Sequence, residues 1–308
     1  MVIKELQDSP LESWPFLEGI ITDVTRQYKE GTTKENAYHS QLALLYANLK
    51  NVEECRKHAA MVPDDADAND KMNVFISLGR MMIYEKKLEE AIPYYEKCLQ
   101  VDPGHEMALD EIGWCCYELK RYEAAEGWFR SVISADDVDS PSAWHGLGLT
   151  LSGMKRYVEA IPCFENAFKH EGTAVNTNYY EYLIGLCYAN DNDFYRAMAH
   201  YMKSLDADPR YAASLVNIAA LYYEHESDIK TAIEYLKKAE ELAEADDDVH
   251  TLQLAYMNLS RLYTRLADYD LKEHYTAKLL ELLGFGAPSD DEETEDEFDD
   301  ESDDDPNV

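Results

Sequence analysis

The sequence is poor in basic residues: 28 Lys and Arg stand against 62 Asp and Glu, a formal net charge of −34. A field of that sign repels phosphate backbones and anionic headgroups, so neither nucleic acid nor a membrane surface is an expected partner. Turn formers are also sparse, with 13 glycines and 10 prolines in 308 residues. That argues against an all-β chain turning roughly every ten residues. No run approaches the ~18 uncharged apolar residues that mark a membrane-spanning helix. Residues 1–30 lack a basic start followed by an apolar stretch, so no signal peptide is expected. The cytoplasm is the location these absences imply.

Motifs for chemistry are missing as well. The six cysteines (Cys55, Cys98, Cys115, Cys116, Cys163, Cys187) show no CxxC spacing and read as small core residues of a reducing compartment. Cys115 and Cys116 are adjacent and could be redox-active, but neighbours on a helix point in different directions. Nine histidines are scattered without HExxH; His105–Glu106, His170–Glu171 and His225–Glu226 begin as HE, and none has a second His three residues on. There is no P-loop, GxGxxG, GxSxG or EF-hand spacing. We therefore expect no enzyme, no catalytic residue, no metal and no cofactor. His145 with Asp110 is the one pair on which an enzyme reading would rest.

What is present is a core-forming composition, 46% hydrophobic with 23 tyrosines, and a self-similarity at a period of about 34 residues. The unit is clearest in Trp144-x2-Leu147-Gly148-x2-Leu151 followed by Ala160-x3-Phe164. It recurs as Phe75-x2-Leu78-Gly79-x2-Met82 with Ala91-x3-Tyr95 and Pro103, and as Leu109-x2-Ile112-Gly113-x2-Cys116 with Ala125-x3-Phe129. Ile184-Gly185-x2-Tyr188 with Ala197-x3-Tyr201 and Pro209 is a fourth, and Leu215-x2-Ile218-Ala219-x2-Tyr222 with Ala232-x3-Leu236 a fifth. The small residue marks where the first helix of a pair nears the second, where a larger side chain would push the axes apart. The alanine is its counterpart on the second helix, and the aromatic lies one turn on over the same face.

This order of large, small and aromatic residues resembles the tetratricopeptide-repeat family. The resemblance implies an all-α superhelical solenoid of about five clear and two degenerate helix pairs, with a disordered acidic C-terminal tail. Clear repeats start near 72, 106, 141, 178 and 212. The degenerate ones start near 36 (His39-x2-Leu42-Ala43-x2-Tyr46) and 253 (Tyr256-x2-Leu259-Ser260-x2-Tyr263). Residues 1–33 are expected to add a capping helix segment, 34–284 the solenoid and 285–308 the tail. Within the tail, residues 290–305 hold 13 acidic and no basic residues. The rest then carries 49 acidic against 28 basic, a net of −21.

In such a solenoid the first helices line a concave groove. The expected lining is Ile76, Arg80 and Ile83, then Asp110, Trp114 and Tyr117, then His145, Leu149 and Ser152. Tyr179, Tyr182 and Leu186 follow, and Val216, Ala220 and Tyr223 complete it. Aromatic residues on a rigid element are the usual composition of binding hot spots, so the expected partner is a protein or peptide segment with an apolar or aromatic motif. Family members that hold chaperone tails use a Lys three residues before the small residue and an Asn just after it. Here those slots hold Ile76, Asp110, His145, Tyr182 and Val216, and Arg80, Trp114, Leu149, Leu186 and Ala220. No such carboxylate clamp is expected.

Two further features stand out. Lys86–Lys87, Lys120–Arg121 and Lys155–Arg156 recur in the turn between paired helices and would form a basic edge able to receive an acidic segment, the tail included. Ser289, Thr294 and Ser302 each have an acidic residue three places on, the pattern of acidic-directed casein kinase 2 sites. The tail itself reads as a solvating appendage, a holder of basic proteins acting as a chaperone, or a regulatory segment.

Overall fold

A computed structural model of the chain describes residues 14–134, 140–171 and 176–285. Among them every regular element is helical. The chain forms two compact units, one within residues 1–207 and one within 208–308.

The first unit opens with α1 (Trp14–Lys29), which packs on α2 (Glu35–Asn48). Five antiparallel pairs follow: α2 with α3 (Val52–Ala59), α4 (Ala68–Tyr84) with α5 (Leu88–Val101), and α6 (Glu106–Glu118) with α7 (Tyr122–Ile133). Then come α8 (Pro141–Gly153) with α9 (Tyr157–Glu171), and α10 (Thr177–Asn190) with α11 (Phe194–Ala207). The second unit holds two pairs. In the first, α12 (Ala212–Leu221) continues into a π-helical turn, Tyr222–Glu226, and packs on α13 (Ile229–Ala245). The second joins α14 (Val249–Arg265) to α15 (Tyr269–Leu282).

Local chemistry explains where the helices begin and end. Side chains of Asn51, Asp67, His105, Ser140, Asp228, Asp248 and Asp268 each accept a hydrogen bond from a first-turn N–H, satisfying donors that the helix leaves open. The turns inside pairs end the first helix with a left-handed residue, and in four successive pairs that residue is a lysine. Lys50, Lys86, Lys120 and Lys155 have φ of 56, 59, 58 and 61°. The N–H of Lys120 reaches the carbonyl of Tyr117 at 2.8 Å, and that of Arg121 reaches Cys116 at 2.8 Å. Lys86 with Lys87 and Lys155 with Arg156 repeat the same two bonds. This is the Schellman arrangement, which usually takes glycine at the left-handed place.

The core shows what the repeated glycine does. A Cβ at Gly79, Gly113, Gly148 or Gly185 would lie 2.6–2.7 Å from the ring of Tyr95, Phe129, Phe164 or Tyr201. These rings are the aromatics four residues after the conserved-spacing alanines, and all four are fully buried. The glycine is therefore required by the ring that lies on it, more than by a direct approach of two helix backbones. The fifth unit supports this logic: its aromatic place holds Leu236, and its glycine place holds Ala219. All six cysteines are free and buried, Cys115 and Cys116 included. Burial pushes the thiols of Cys98 and Cys115 up to about 12 and those of Cys55 and Cys163 up to about 11, which keeps them protonated and unreactive.

Candidate functional site

In the first unit the first helices of consecutive pairs are joined by side chains spaced about one repeat apart. Between α2 and α4, the Ser40 hydroxyl donates to Asp70 at 2.7 Å, and Arg80 Nη1 donates to Asn48. Arg80 Nη2 then reaches the Met107 sulfur at the start of α6, at 3.1 Å. Between α6 and α8, Trp114 Nε1 donates to the Ser142 hydroxyl at 3.0 Å, and Ser142 donates to Asp110 Oδ2 at 2.8 Å. Between α8 and α10, His145 Nε2 and the Tyr179 hydroxyl lie 3.2 Å apart.

Aromatic contacts run along the same line. The Trp114 ring meets His145 edge-on at 5.8 Å, and His145 meets Tyr179 edge-on at 5.6 Å. Trp114 also meets Tyr117 at 5.8 Å. Offset and edge-on pairs of this kind fix ring orientation as well as adding contact. The face is therefore an ordered row of rings cross-linked by hydrogen bonds.

Burial divides the predicted lining into two sets. Ile76, Arg80, His145 and Val216 are buried and present little surface. Ile83, Asp110, Trp114, Tyr117, Leu149, Ser152, Tyr179, Tyr182, Leu186, Ala220 and Tyr223 are half-buried, keeping one edge on the face. His145 faces Tyr179 and Asp110 faces Ser142, so each already has a structural partner.

Three ionisable groups at the α4–α6 junction lie in unusual surroundings. Glu111 is 7% exposed and Arg80 is 5% exposed. Burial pushes the Glu111 carboxyl up to about 7, an effect the nearby Arg80 guanidinium only partly offsets. Burial likewise pushes Asp110 up to about 6 against the hydrogen bond from Ser142. Asp110 Oδ1, Arg80 Nε and the Tyr95 hydroxyl are buried and have no hydrogen-bond partner among the described residues.

In the second unit Tyr223 lies in the π-helical turn, with the guanidinium groups of Arg261 and Arg265 5.4 and 5.9 Å from its ring centre. Arg261 follows the small residue Ser260, the register used above to find lining residues. Extending that register to the last, degenerate pair would have found it. The other residues missed from sequence, Asn48, Asp70, Met107 and Ser142, had their signal in one-repeat spacing to a partner.

On the basic edge, the second residue of each pair is engaged by acid. Lys87 meets Glu85 at 2.7 Å, Arg121 meets Glu89 at 3.5 Å, and Arg156 meets Glu126 and Glu159 at 2.6 and 2.7 Å. Lys86, Lys120 and Lys155 are exposed. Ser289, Thr294, Ser302 and the acidic run lie outside the described residues, as do residues 1–13 of the expected capping segment. Among the described residues no helix is long and apolar enough to cross a membrane. Nor does any group of three or more metal-ligating side chains occur among them.

Comparison with known proteins gives consistent matches. Models described as tetratricopeptide repeat match residues 82–148, and residues 141–169 and 182–211. Human tetratricopeptide repeat protein 7B is 26% identical over 102 residues, covering 33% of this chain and 12% of that protein. Photosystem I assembly protein Ycf3 of Rippkaea orientalis is 32% identical over 76 residues, covering 25% of this chain and 44% of that protein. The chain thus spans less than half the length of these relatives. Among solved structures, the C-terminal part of a repeat-containing protein from Cytophaga hutchinsonii superposes with a TM-score of 0.58 at 14% identity. That match covers 79% of this chain and 95% of the other.

Proposed function

The chain belongs to the tetratricopeptide-repeat family, and from that premise we propose that it is a protein–protein interaction scaffold or adaptor. Its binding groove is the first-helix face of the first unit, which takes a segment of a partner protein. The observation that carries this reading is the cross-linked row of half-buried rings, Trp114, Tyr117 and Tyr179, tied together through Ser142 and His145, with Tyr182 half-buried on the same helix as Tyr179. Rigid aromatic edges lose little entropy when a partner covers them, which is why they dominate binding energy. In the second unit Tyr223 extends the candidate set. The assembly role in the name of Ycf3 is in keeping with a scaffold.

A second reading rests on the 13 acidic and no basic residues of 290–305: a chaperone-like holder of basic proteins acting through that segment. Capture from the host lysate with three forms separates the two. These are the full chain, a chain ending at Ala287, and the full chain with Trp114→Ala and Tyr182→Ala. The adaptor reading expects a salt-resistant partner that survives truncation and is lost from the double variant. Loss of basic proteins with the truncation alone would move the function to the acidic segment.

A further inference from the structure

We propose that Arg261 and Arg265, converging on the ring of Tyr223, form a site for paired carboxylates, and that its occupant is the chain's own acidic segment, residues 290–305, seated through Phe298. The site lies in the second unit and shares only Tyr223 with the binding reading above, so the first-unit rings stand or fall apart from it.

In a chain of net charge −34, an arginine without an acidic partner is an exception. Arg26, Arg56, Arg121, Arg130, Arg156, Arg196 and Arg210 each pair with a carboxylate, and Arg80 donates to Asn48. Arg261 and Arg265 are exposed and have neither an ion pair nor a hydrogen bond among the described residues. What they meet is the Tyr223 ring, whose centre lies 5.4 and 5.9 Å from the two guanidinium carbons. Their own helix offers no alternative, since α14 (VHTLQLAYMNLSRLYTR) contains no acidic residue. Asp268, just beyond it, is committed to capping α15 through the Leu271 N–H. Spacing of i and i+4 sets the two cations on one face, where like charges repel and an anion between them offsets the cost. A ring contact engages the charge of a guanidinium and leaves its N–H donors able to grip a carboxylate. Tyr223 comes from the π-helical turn Tyr222–Glu226, a departure from α geometry of the kind that recurs at functional sites.

Charge, composition and reach select the occupant. Residues 290–305 belong to the same unit and hold 13 acidic and no basic residues. Their single aromatic residue, Phe298, stands between Glu297 and Asp299. One ring flanked by two carboxylates is the complement of one ring flanked by two guanidinium groups. After a short turn α15 packs back along α14, so its end at Leu282 lies toward Val249. From there Arg261 is about 18 Å along α14, at 1.5 Å per residue. The stretch from Phe285 to Phe298 can extend to about 45 Å, more than the span requires. The rest of the chain is acidic and exerts no general attraction on this segment, but charges beyond about 8 Å are largely screened at physiological salt. Contact with the two guanidinium groups therefore decides. A tethered segment is present at an effective concentration in the millimolar range, so a weak site suffices. The basic turns of the first unit are poorer receivers, because Lys87, Arg121 and Arg156 are already engaged by acid.

The test uses the full chain with photoreactive benzoylphenylalanine in place of Phe298. Irradiation, proteolysis and mass spectrometry should give a crosslink within one chain to residues around Tyr223 or Arg261. Arg261→Gln with Arg265→Gln should lower its yield at least about fivefold, as should raising sodium chloride to about 0.5 M. Both arginines are exposed, so the double variant should fold, which circular dichroism checks. Nitrogen NMR of the arginine Nε–H groups is an independent readout on the unsubstituted chain. The Arg261 and Arg265 signals should shift when the chain is ended at Ala287, and those of the other arginines should not. A crosslink to other residues, one formed only between two chains, or one that the double variant leaves unchanged overturns the proposal. Arg261 and Arg265 signals that do not move on truncation overturn it as well. The Trp114 and Tyr182 capture experiment above is independent of each of these results, so failure here and failure of the groove are told apart.

Discussion

Replacing Gly113 by alanine should destabilise the protein, although alanine is the better helix former by about 1 kcal/mol. The new Cβ would lie 2.7, 2.9 and 3.0 Å from three carbons of the Phe129 ring, against an optimal carbon–carbon separation of about 3.5–4.0 Å. The ring is fully buried and also lies against Gly146 of the next first helix, so it has little room to retreat. Overpacking of this kind costs about 1–3 kcal/mol. Subtracting the propensity gain leaves a net loss of up to about 2 kcal/mol. In a Phe129→Leu background the clash is gone, and the same substitution should stabilise by about 1 kcal/mol. The coupling between the two sites is then about 1–3 kcal/mol. The chain already contains the predicted solution in its fifth unit, where Ala219 accompanies Leu236. Urea unfolding followed by circular dichroism gives the cycle. Hydrogen exchange of α6 and α7 localises it, since a repeat array need not unfold in two states. If Gly113→Ala stabilises both backgrounds equally, the ring is not what holds the glycine in place.

Lys120→Gly should stabilise by several tenths to about 1 kcal/mol, because it relieves a left-handed lysine at φ 58° at some entropic cost in the unfolded chain; unchanged urea midpoints would refute this. Glu111 binds its proton more tightly folded than unfolded, since burial raises it to about 7 from an ordinary value of about 4.3. The folded state therefore holds more protons between those values, and stability from this group falls as pH rises through about 4 to 7, then levels off. Comparing Glu111→Gln with the unsubstituted chain should show that slope only in the latter, and parallel melting curves from pH 4 to 8 would contradict it. The native protein should also resist thiol-reactive dye at neutral pH, all six cysteines reacting only on denaturation; rapid labelling of Cys115 or Cys116 when folded would oppose the burial described here.

Much of the fold was legible because each repeat places a small residue and an aromatic at fixed spacing, and packing demands both. The sequence reading assigned the glycines to close helix approach; the ring on each glycine emerged only from the structure, because spacing within a helix does not show which neighbour fills the space. The candidate face was legible in part. The small-residue register identified Trp114, Tyr117, Tyr179 and Tyr182, yet it could not tell that Ile76, Arg80, His145 and Val216 turn inward. That depends on how consecutive pairs rotate against each other, a long-range quantity. Ser142 and Asn48 were passed over because their roles are defined by partners one repeat away. The basic turns had a local explanation, as the left-handed and following residues of one capping motif.

The central claim, that the first-helix face of the first unit contacts a partner, is tested most directly by site-specific photo-crosslinking. A photoreactive phenylalanine replaces Tyr182 on that face in one form and Tyr195 in another. Tyr195 is 93% exposed on α11, the second helix of the same pair. The account predicts a crosslinked partner peptide from position 182 with none from position 195. Crosslinks from position 195 alone would place the contact on the opposite helices and contradict it.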